Sequence, residues 1–263
     1  VTQAASTSGL FEKIELSDHI LHVREEGEGE NLLVLHGWGG SIQSVRPISE
    51  RLTNNFHVIT PDLVGHGGSS MPPENGPWGT ADYVRSIKEL LDKLNIKKTD
   101  IIGHSHGGRI GIYFAAHYPE RVGKLVLVNS AGIKPPRSLK YRIKVAISKI
   151  GKFAEKYLGS VGKKLKQLLY KQIASTDYQN AGPLRATFVK LVNEDFRELL
   201  PKITAKTLLV WGRLDNDTPL AVAKQMQSSI PDSELVVLEN AGHYSYLDQP
   251  VQFLLHVKRF LAG

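Results

Sequence analysis

The sequence contains no cysteine, which excludes disulfide bridges, thiolate metal sites and a cysteine nucleophile together. Covalent chemistry must therefore use another side chain. No stretch offers the roughly 18 consecutive apolar residues of a membrane-spanning helix, and residues 1–9 carry neither the basic start nor the apolar run of a signal peptide. A cytoplasmic location is expected by default, with earlier processing left open because the first residue is not Met. Internal repeats and low-complexity tracts are also missing. What is there, 41% hydrophobic and 22% charged residues over 263, is ordinary for a globular enzyme. It suffices for one large domain, or for a domain carrying a sizeable insertion.

The net charge of +7 invites a nucleic-acid reading until the charge is located. Between Lys134 and Lys171 twelve Lys and Arg face the single acid Glu155, a net of +11 that leaves about −4 for the rest. The basicity belongs to one segment, not to a groove running through the protein, and no nucleic-acid partner is expected. A solvated helix face is the plain reading of that segment. Contact with a membrane or another anionic surface is the less ordinary one.

Short runs rich in Val, Ile and Leu alternate with stretches of helical period, the βαβα pattern of a mostly parallel sheet with helices on both faces. The strands fall at residues 31–35, 56–60, 100–103, 125–128, 207–211 and 235–238, nearly continuous in apolarity and hence buried on both faces. Upstream, 12–16 and 20–24 suit an antiparallel hairpin at the sheet edge. Thr80 can cap a helix with Tyr83, Val84, Ile87, Leu90, Leu91 and Leu94 on one side, and another helix runs from about His106 to His117, before Pro119. From Ile133 to Ile203 the alternation stops. Within it, 138–171 has helical period with Leu139, Ile143, Ile147 and Ile150 in one stripe. This gives a core of residues 1–132 and 204–263 with a helical cap inserted at 133–203.

Gly103-His104-Ser105-His106-Gly107 places a Gly-x-Ser-x-Gly motif directly after a strand and directly before a helix. A nucleophilic serine must stand on a tight strand-to-helix turn, and glycines on either side remove the Cβ atoms that would clash there. The following helix aims free N–H groups and its positive dipole end at the site. Ser105 needs a base. Of the ten histidines, His243 is the candidate, because it lies just past the strand 235–238 and so at the carboxyl edge of the sheet, where catalytic groups of open α/β sheets collect. His19, His57, His117 and His256 suit surface or packing roles. His104 and His106 flank the nucleophile, but on such a turn they point different ways and no carboxylate clusters near them in sequence, so no metal site is expected.

The orienting acid must follow another strand end, and Asp215 and Asp217 both follow the strand 207–211. Asp215 is four residues past Trp211 and can still turn toward the active edge. Asp217 has a local task beside Thr218 and Pro219, read as the cap and first position of the next helix. The order Ser, Asp, His fits the α/β-hydrolase arrangement among serine hydrolases. For the oxyanion, the glycine-rich turn His36-Gly37-Trp38-Gly39-Gly40 lies at the same edge, and the backbone N–H groups of Trp38 and His106 are the expected donors.

With these residues in view, the chain resembles the α/β-hydrolase superfamily from about Phe11 to Leu261. The resemblance rests on five turns in order: 36–40, Pro61-Asp62-Leu63 with Gly65-His66-Gly67 and Ser69, 103–108, Trp211-Gly212 with Asp215, and Gly242-His243. It implies the α/β-hydrolase fold: an eight-stranded, mostly parallel sheet, helices on both faces, a helical cap after the sixth strand, and hydrolysis without cofactor or metal. It also implies a structural role for His66. Ser105 separates the chain from haloalkane dehalogenases and epoxide hydrolases, which carry Asp at that turn. The sequence is similar too to the carbon–carbon bond hydrolases of aromatic ring-fission products, through Trp211-Gly212-Arg213 and the cap position. It departs from them at His104, where they usually carry Asn, and at Tyr244, where they carry Trp. A small-molecule carboxylic ester is therefore the expected substrate, with a vinylogous diketone as the alternative. A non-catalytic small-molecule receptor on the same fold is a further alternative.

Overall fold

The computed structural model describes residues 10–73, 76–134 and 176–263, together with 153, 157, 159 and 160 in the stretch between. The apolar runs form β1 (Leu10–Glu15), β2 (Ile20–Glu26), β3 (Glu30–Leu35), β4 (Phe56–Pro61), β5 (Thr99–His104), β6 (Val122–Val128), β7 (Lys206–Gly212) and β8 (Ser233–Leu238). They make one eight-stranded sheet of order β1-β2-β4-β3-β5-β6-β7-β8. β2 pairs antiparallel with β1 and β4, and every pairing from β4 across to β8 is parallel. The hairpin is in place, but β1 begins at Leu10 and stops before Leu16. Its periodicity misleads because this edge strand is exposed on both faces along most of its length. Leu16 leaves the ladder, bonds the His19 carbonyl at 2.8 Å and is buried.

Because side chains alternate across a strand, each central run feeds two cores. Leu33, Leu35, Ile101, Leu125, Leu127, Leu209 and Trp211 point to one face, while Leu32, Val34, Ile102, Val126, Val128, Leu208 and Val210 point to the other. The first face is covered by α2 (Thr80–Lys93) and α3 (His106–His117), whose Tyr83, Ile87, Leu90, Ile110 and Phe114 join that core. α1 (Ile42–Ser49) covers the second. Later in the chain come α4 (Thr176–Asn180), α5 (Arg185–Asn193), α6 (Leu220–Ser229), α7 (Ser245–Asp248) and α8 (Pro250–Ala262). α6 packs on the first face through Val222, Ala223 and Met226, and α8 on the second through Phe253, Val257 and Phe260.

Two helix starts differ from the sequence reading. Thr80 is the first residue of α2 rather than its cap: its N–H and hydroxyl donate to the Glu194 carboxylate, and Asp82 accepts from the Gly79 N–H at 2.8 Å. α6 begins at Leu220, after Pro219, which frees Thr218 for another task.

The chain divides into two compact units, residues 135–189 and the remainder. Residues 190–203, assigned from sequence to the insertion, thus group with the sheet. Leu191, Phe196, Leu200 and Ile203 are buried in the first core, the Arg109 guanidinium donates to the Leu191 carbonyl, and Phe196 N–H bonds Gly132 O at 2.8 Å. The helical stripe expected at 138–171, and with it nearly all of the basic segment, lies outside the described residues. Among the described residues no helix is long and apolar enough to cross a membrane.

Candidate active site

The strand order turns at β3, with β4 on one side and β5 on the other. The crevice for ligands in an open α/β sheet lies at such a switch point, beyond the carboxyl ends of the strands. The glycine-rich turn 36–40 follows β3 and Ser105 follows β5, so the two are neighbours there. Asn129, Asp215 and His243 follow β6, β7 and β8 along the same edge.

Ser105 sits between β5 and α3 at φ 51° and ψ −108°. A non-glycine residue there stores about 1–3 kcal/mol of strain, which persists only where the surroundings hold it. The holding contacts are the Ser105 N–H to Val128 O at 3.0 Å and the Ala131 N–H to Ser105 O at 3.0 Å. Two glycines make the turn possible. A Cβ on Gly103 would come within 2.5 Å of the Gly107 carbonyl, and one on Gly107 within 2.3 Å of Leu35 O. Both obstacles are backbone, so neither can step aside. Gly37 approaches from the β3 side, where an added Cβ would stand 3.3 Å from the Ser105 Cβ and 2.9 Å from His104 Nδ1. The Trp38 ring packs edge-on to His106, with centroids 5.9 Å apart. The two residues expected to supply oxyanion donors are therefore adjacent.

His243 donates from Nδ1 to Asp215 Oδ2 at 2.9 Å, with the Asp215 side chain wholly buried and the imidazole 14% exposed. His104, next to Ser105, donates from Nε2 to the His243 carbonyl at 3.0 Å and lies among the rings of His243, Tyr244 and Tyr246. That bond ties the Ser105 turn to the loop that carries His243. His104 and His106 do point apart: the His106 ring turns instead toward Trp38 and Tyr83.

Asp215 is more heavily solvated by protein than the sequence suggests. Oδ1 accepts from the N–H groups of Asp217 at 2.8 Å and Thr218 at 2.9 Å, and Oδ2 accepts from Asn129 Nδ2 at 2.6 Å as well as from His243. The Thr218 hydroxyl lies 2.7 Å from Oδ2 and 3.0 Å from Asn129 O, and its one proton serves either acceptor. Burial alone would raise the carboxyl, but His243 and the Thr218 donors outweigh it and hold Asp215 below the usual carboxylate range. The acid is thus kept ionised. Asn129 and Thr218 were missed from sequence. The usable signal is position, since Asn129 follows β6 at the same sheet edge, while Thr218 reads from sequence as a helix cap.

Histidines around the site are buried in the neutral form. His36 donates from Nδ1 to Gly37 O at 2.7 Å and accepts the Leu63 N–H on Nε2 at 2.9 Å, which locks the 36–40 turn against the 61–69 turn. Burial, with His66 beside it, pushes His36 down to about 4. Burial and then His243 push His104 down to about 3, and burial takes His106 well below the ordinary value. His66 bonds Val64 O at 3.1 Å within the second turn. There Asp62 accepts from Ile42 N–H, Gly68 N–H and His22.

A pH dependence follows. Unfolded, these histidines bind a proton near pH 6.5, whereas folded they refuse it, so stability is complete above that pH and falls as acid is added. Each contributes a slope of about 1.4 kcal/mol per pH unit until its folded value is reached, about 4 for His36. Together His36 and His104 should cost roughly 3 kcal/mol per unit between pH 6 and pH 4 or so, with His106 acting in the same direction, enough to unfold a domain at the lower end of ordinary stability. Urea unfolding at a series of pH values measures this. A midpoint unchanged from pH 6.5 to 4.5 would contradict the buried neutral assignment.

Residues 30–250 match the model of the alpha/beta hydrolase fold family, and the chain belongs to that family. It is similar to the pimeloyl-[acyl-carrier protein] methyl ester esterase of Aliivibrio salmonicida, 30% identical with 92% of this chain and 95% of that protein covered. It is similar also to the 2-hydroxy-6-oxo-6-phenylhexa-2,4-dienoate hydrolase of Burkholderia cepacia, 29% identical with 98% of each covered. Among solved structures, a hydrolase from Pseudomonas aeruginosa PA01 superposes with a TM-score of 0.75 at 27% identity, covering 97% of this chain and all of that one. Family and relatives support hydrolase chemistry, and they include both an ester-cleaving and a carbon–carbon-cleaving enzyme.

Proposed function

We propose that the protein hydrolyses small-molecule carboxylic esters through a Ser105–His243–Asp215 triad and an acyl-enzyme. The observation that carries this is the 2.9 Å bond from His243 to the buried, multiply bonded Asp215, joined through His104 to the strained turn of Ser105. The Asp215 carboxylate selects the tautomer with the proton on Nδ1 and leaves Nε2 as the base. In the proposed cycle Nε2 takes the Ser105 hydroxyl proton as Oγ bonds to the carbonyl carbon. The Trp38 and His106 N–H groups hold the oxyanion, and the imidazolium gives its proton to the departing alcohol. Water, deprotonated by His243, then releases the acid and restores Ser105. None of these steps calls on a cofactor.

The relative acting on a dienoate keeps carbon–carbon cleavage as the second reading. Against it stands His104, in the place where such enzymes usually carry Asn. Its Nε2 is spent on the His243 carbonyl and its ring is packed against Tyr244 and Tyr246. The similarity to a methyl ester esterase supports the first reading. Steady-state rates on p-nitrophenyl esters of increasing acyl length, set beside rates on a vinylogous diketone, decide between them. Ester turnover with an acyl-enzyme visible by mass spectrometry is expected. Diketone cleavage without ester turnover would reverse the order, and neither activity, with no labelling of Ser105 by a fluorophosphonate, would favour a receptor.

A further inference from the structure

At the end of β6 the chain passes through Asn129 at φ 44°, with no exposed surface. Every hydrogen-bonding group of this residue is engaged. Its N–H donates to Val210 O on β7 at 3.0 Å, and its carbonyl faces the Thr218 hydroxyl at 3.0 Å. Nδ2 donates to Asp215 Oδ2 at 2.6 Å and to Gly242 O at 3.2 Å, and Oδ1 accepts from Ser245 Oγ at 2.6 Å. These partners fix which way the amide faces, because the flipped amide would set Oδ1 against a carboxylate oxygen and a carbonyl. One side chain therefore bridges the acid loop after β7, the residue before His243, and α7 behind it.

We propose that Asn129 is a positioning residue for the acid–base pair, its amide holding Asp215 Oδ2 and the Gly242 carbonyl together so that carboxylate and imidazole keep one register. Oδ2 is the oxygen that receives His243 Nδ1. Without the amide, that oxygen keeps only His243 and a hydroxyl proton shared with Asn129 O. The Gly242 carbonyl loses its tie to the acid, and Ser245 loses its acceptor. A carboxylate with fewer directional donors swings more freely, and general-base catalysis depends on the imidazole it orients. A simpler role for Asn129 exists: asparagine tolerates the left-handed region better than most residues. The two roles separate under substitution.

Asn129→Gly keeps that backbone conformation freely and removes only the amide. Asn129→Asp keeps shape but offers Asp215 a second carboxylate in place of a donor. The kinetic consequence rests on the triad reading, so a readout that needs no turnover accompanies it: the downfield proton resonance of His243 Nδ1–H, assigned by its absence from His243→Ala. In both variants kcat on an ester is expected to fall by about 10- to 100-fold with KM changed little, and the Nδ1 resonance to broaden or vanish. Asn129→Gly with wild-type kcat and an intact resonance would overturn the inference and leave only the turn role. If the wild-type protein turned over no ester, the triad reading would fall while the resonance still decided the clamp. Should the Asn129 variants fail to fold, Ser245→Ala frees the same amide from its other end. A weakened resonance in Ser245→Ala supports the clamp, and an unchanged one overturns it.

Discussion

Ser105→Ala is expected to abolish ester hydrolysis, lowering kcat by roughly 10⁴- to 10⁶-fold, the scale seen when the nucleophile of a serine hydrolase is removed. His243 has no other hydroxyl placed on the strained turn to activate, and water is not held there by the backbone bonds that fix Ser105 to Val128 and Ala131. Alanine leaves the φ of 51° no more strained than serine does, so the fold should survive. The protein should keep its circular dichroism spectrum and melting temperature while losing both turnover and fluorophosphonate labelling. Retention of more than a few per cent of wild-type turnover would remove Ser105 from the nucleophile role.

The two acids after β7 are expected to differ by orders of magnitude. Asp215→Asn keeps shape but loses the charge that stabilises the imidazolium and the acceptor that selects the Nδ1 proton, a change worth about 10⁴ in kcat in serine proteases. Asp217 is exposed, and what it gives Asp215 is its backbone N–H, which a side-chain substitution leaves in place. Asp217→Asn should therefore cost about 1 kcal/mol of stability or less, through its position before α6, and little activity. Purifying both variants, confirming their fold and comparing kcat on one ester settles the assignment. A dead Asp217→Asn beside an active Asp215→Asn would reverse it.

Local information carried the sheet. Strands such as β3 and β7 read correctly because burial on both faces leaves nearly unbroken apolar runs. β1 was displaced because exposure on both faces leaves no periodicity to follow. That Ser105, Asp215 and His243 lie along one edge is readable for a related reason, since each follows a strand and strand ends share an edge. The partners of Asp215 were not. That Asn129 reaches Asp215, Gly242 and Ser245 depends on which strands lie side by side, and β6, β7 and β8 become neighbours only in the assembled sheet. Thr218 reads from sequence as a cap because serine and threonine before a proline commonly are. The nearby carboxylate competed for its hydroxyl and won. The boundary of the insertion was likewise set by side chains such as Phe196 packing into a core, which spacing alone does not show.

The hydrogen bond from Phe196 N–H to Gly132 O, 2.8 Å long, means that the chain entering the insertion and the chain leaving it are pinned to each other. In polymer terms the two ends close a loop, and the entropy of closing a chain grows only with the logarithm of its length. Doubling that length would cost the sheet about 0.6 kcal/mol. Segments of very different size could be spliced in at this knot while the five strand ends that build the site keep their places.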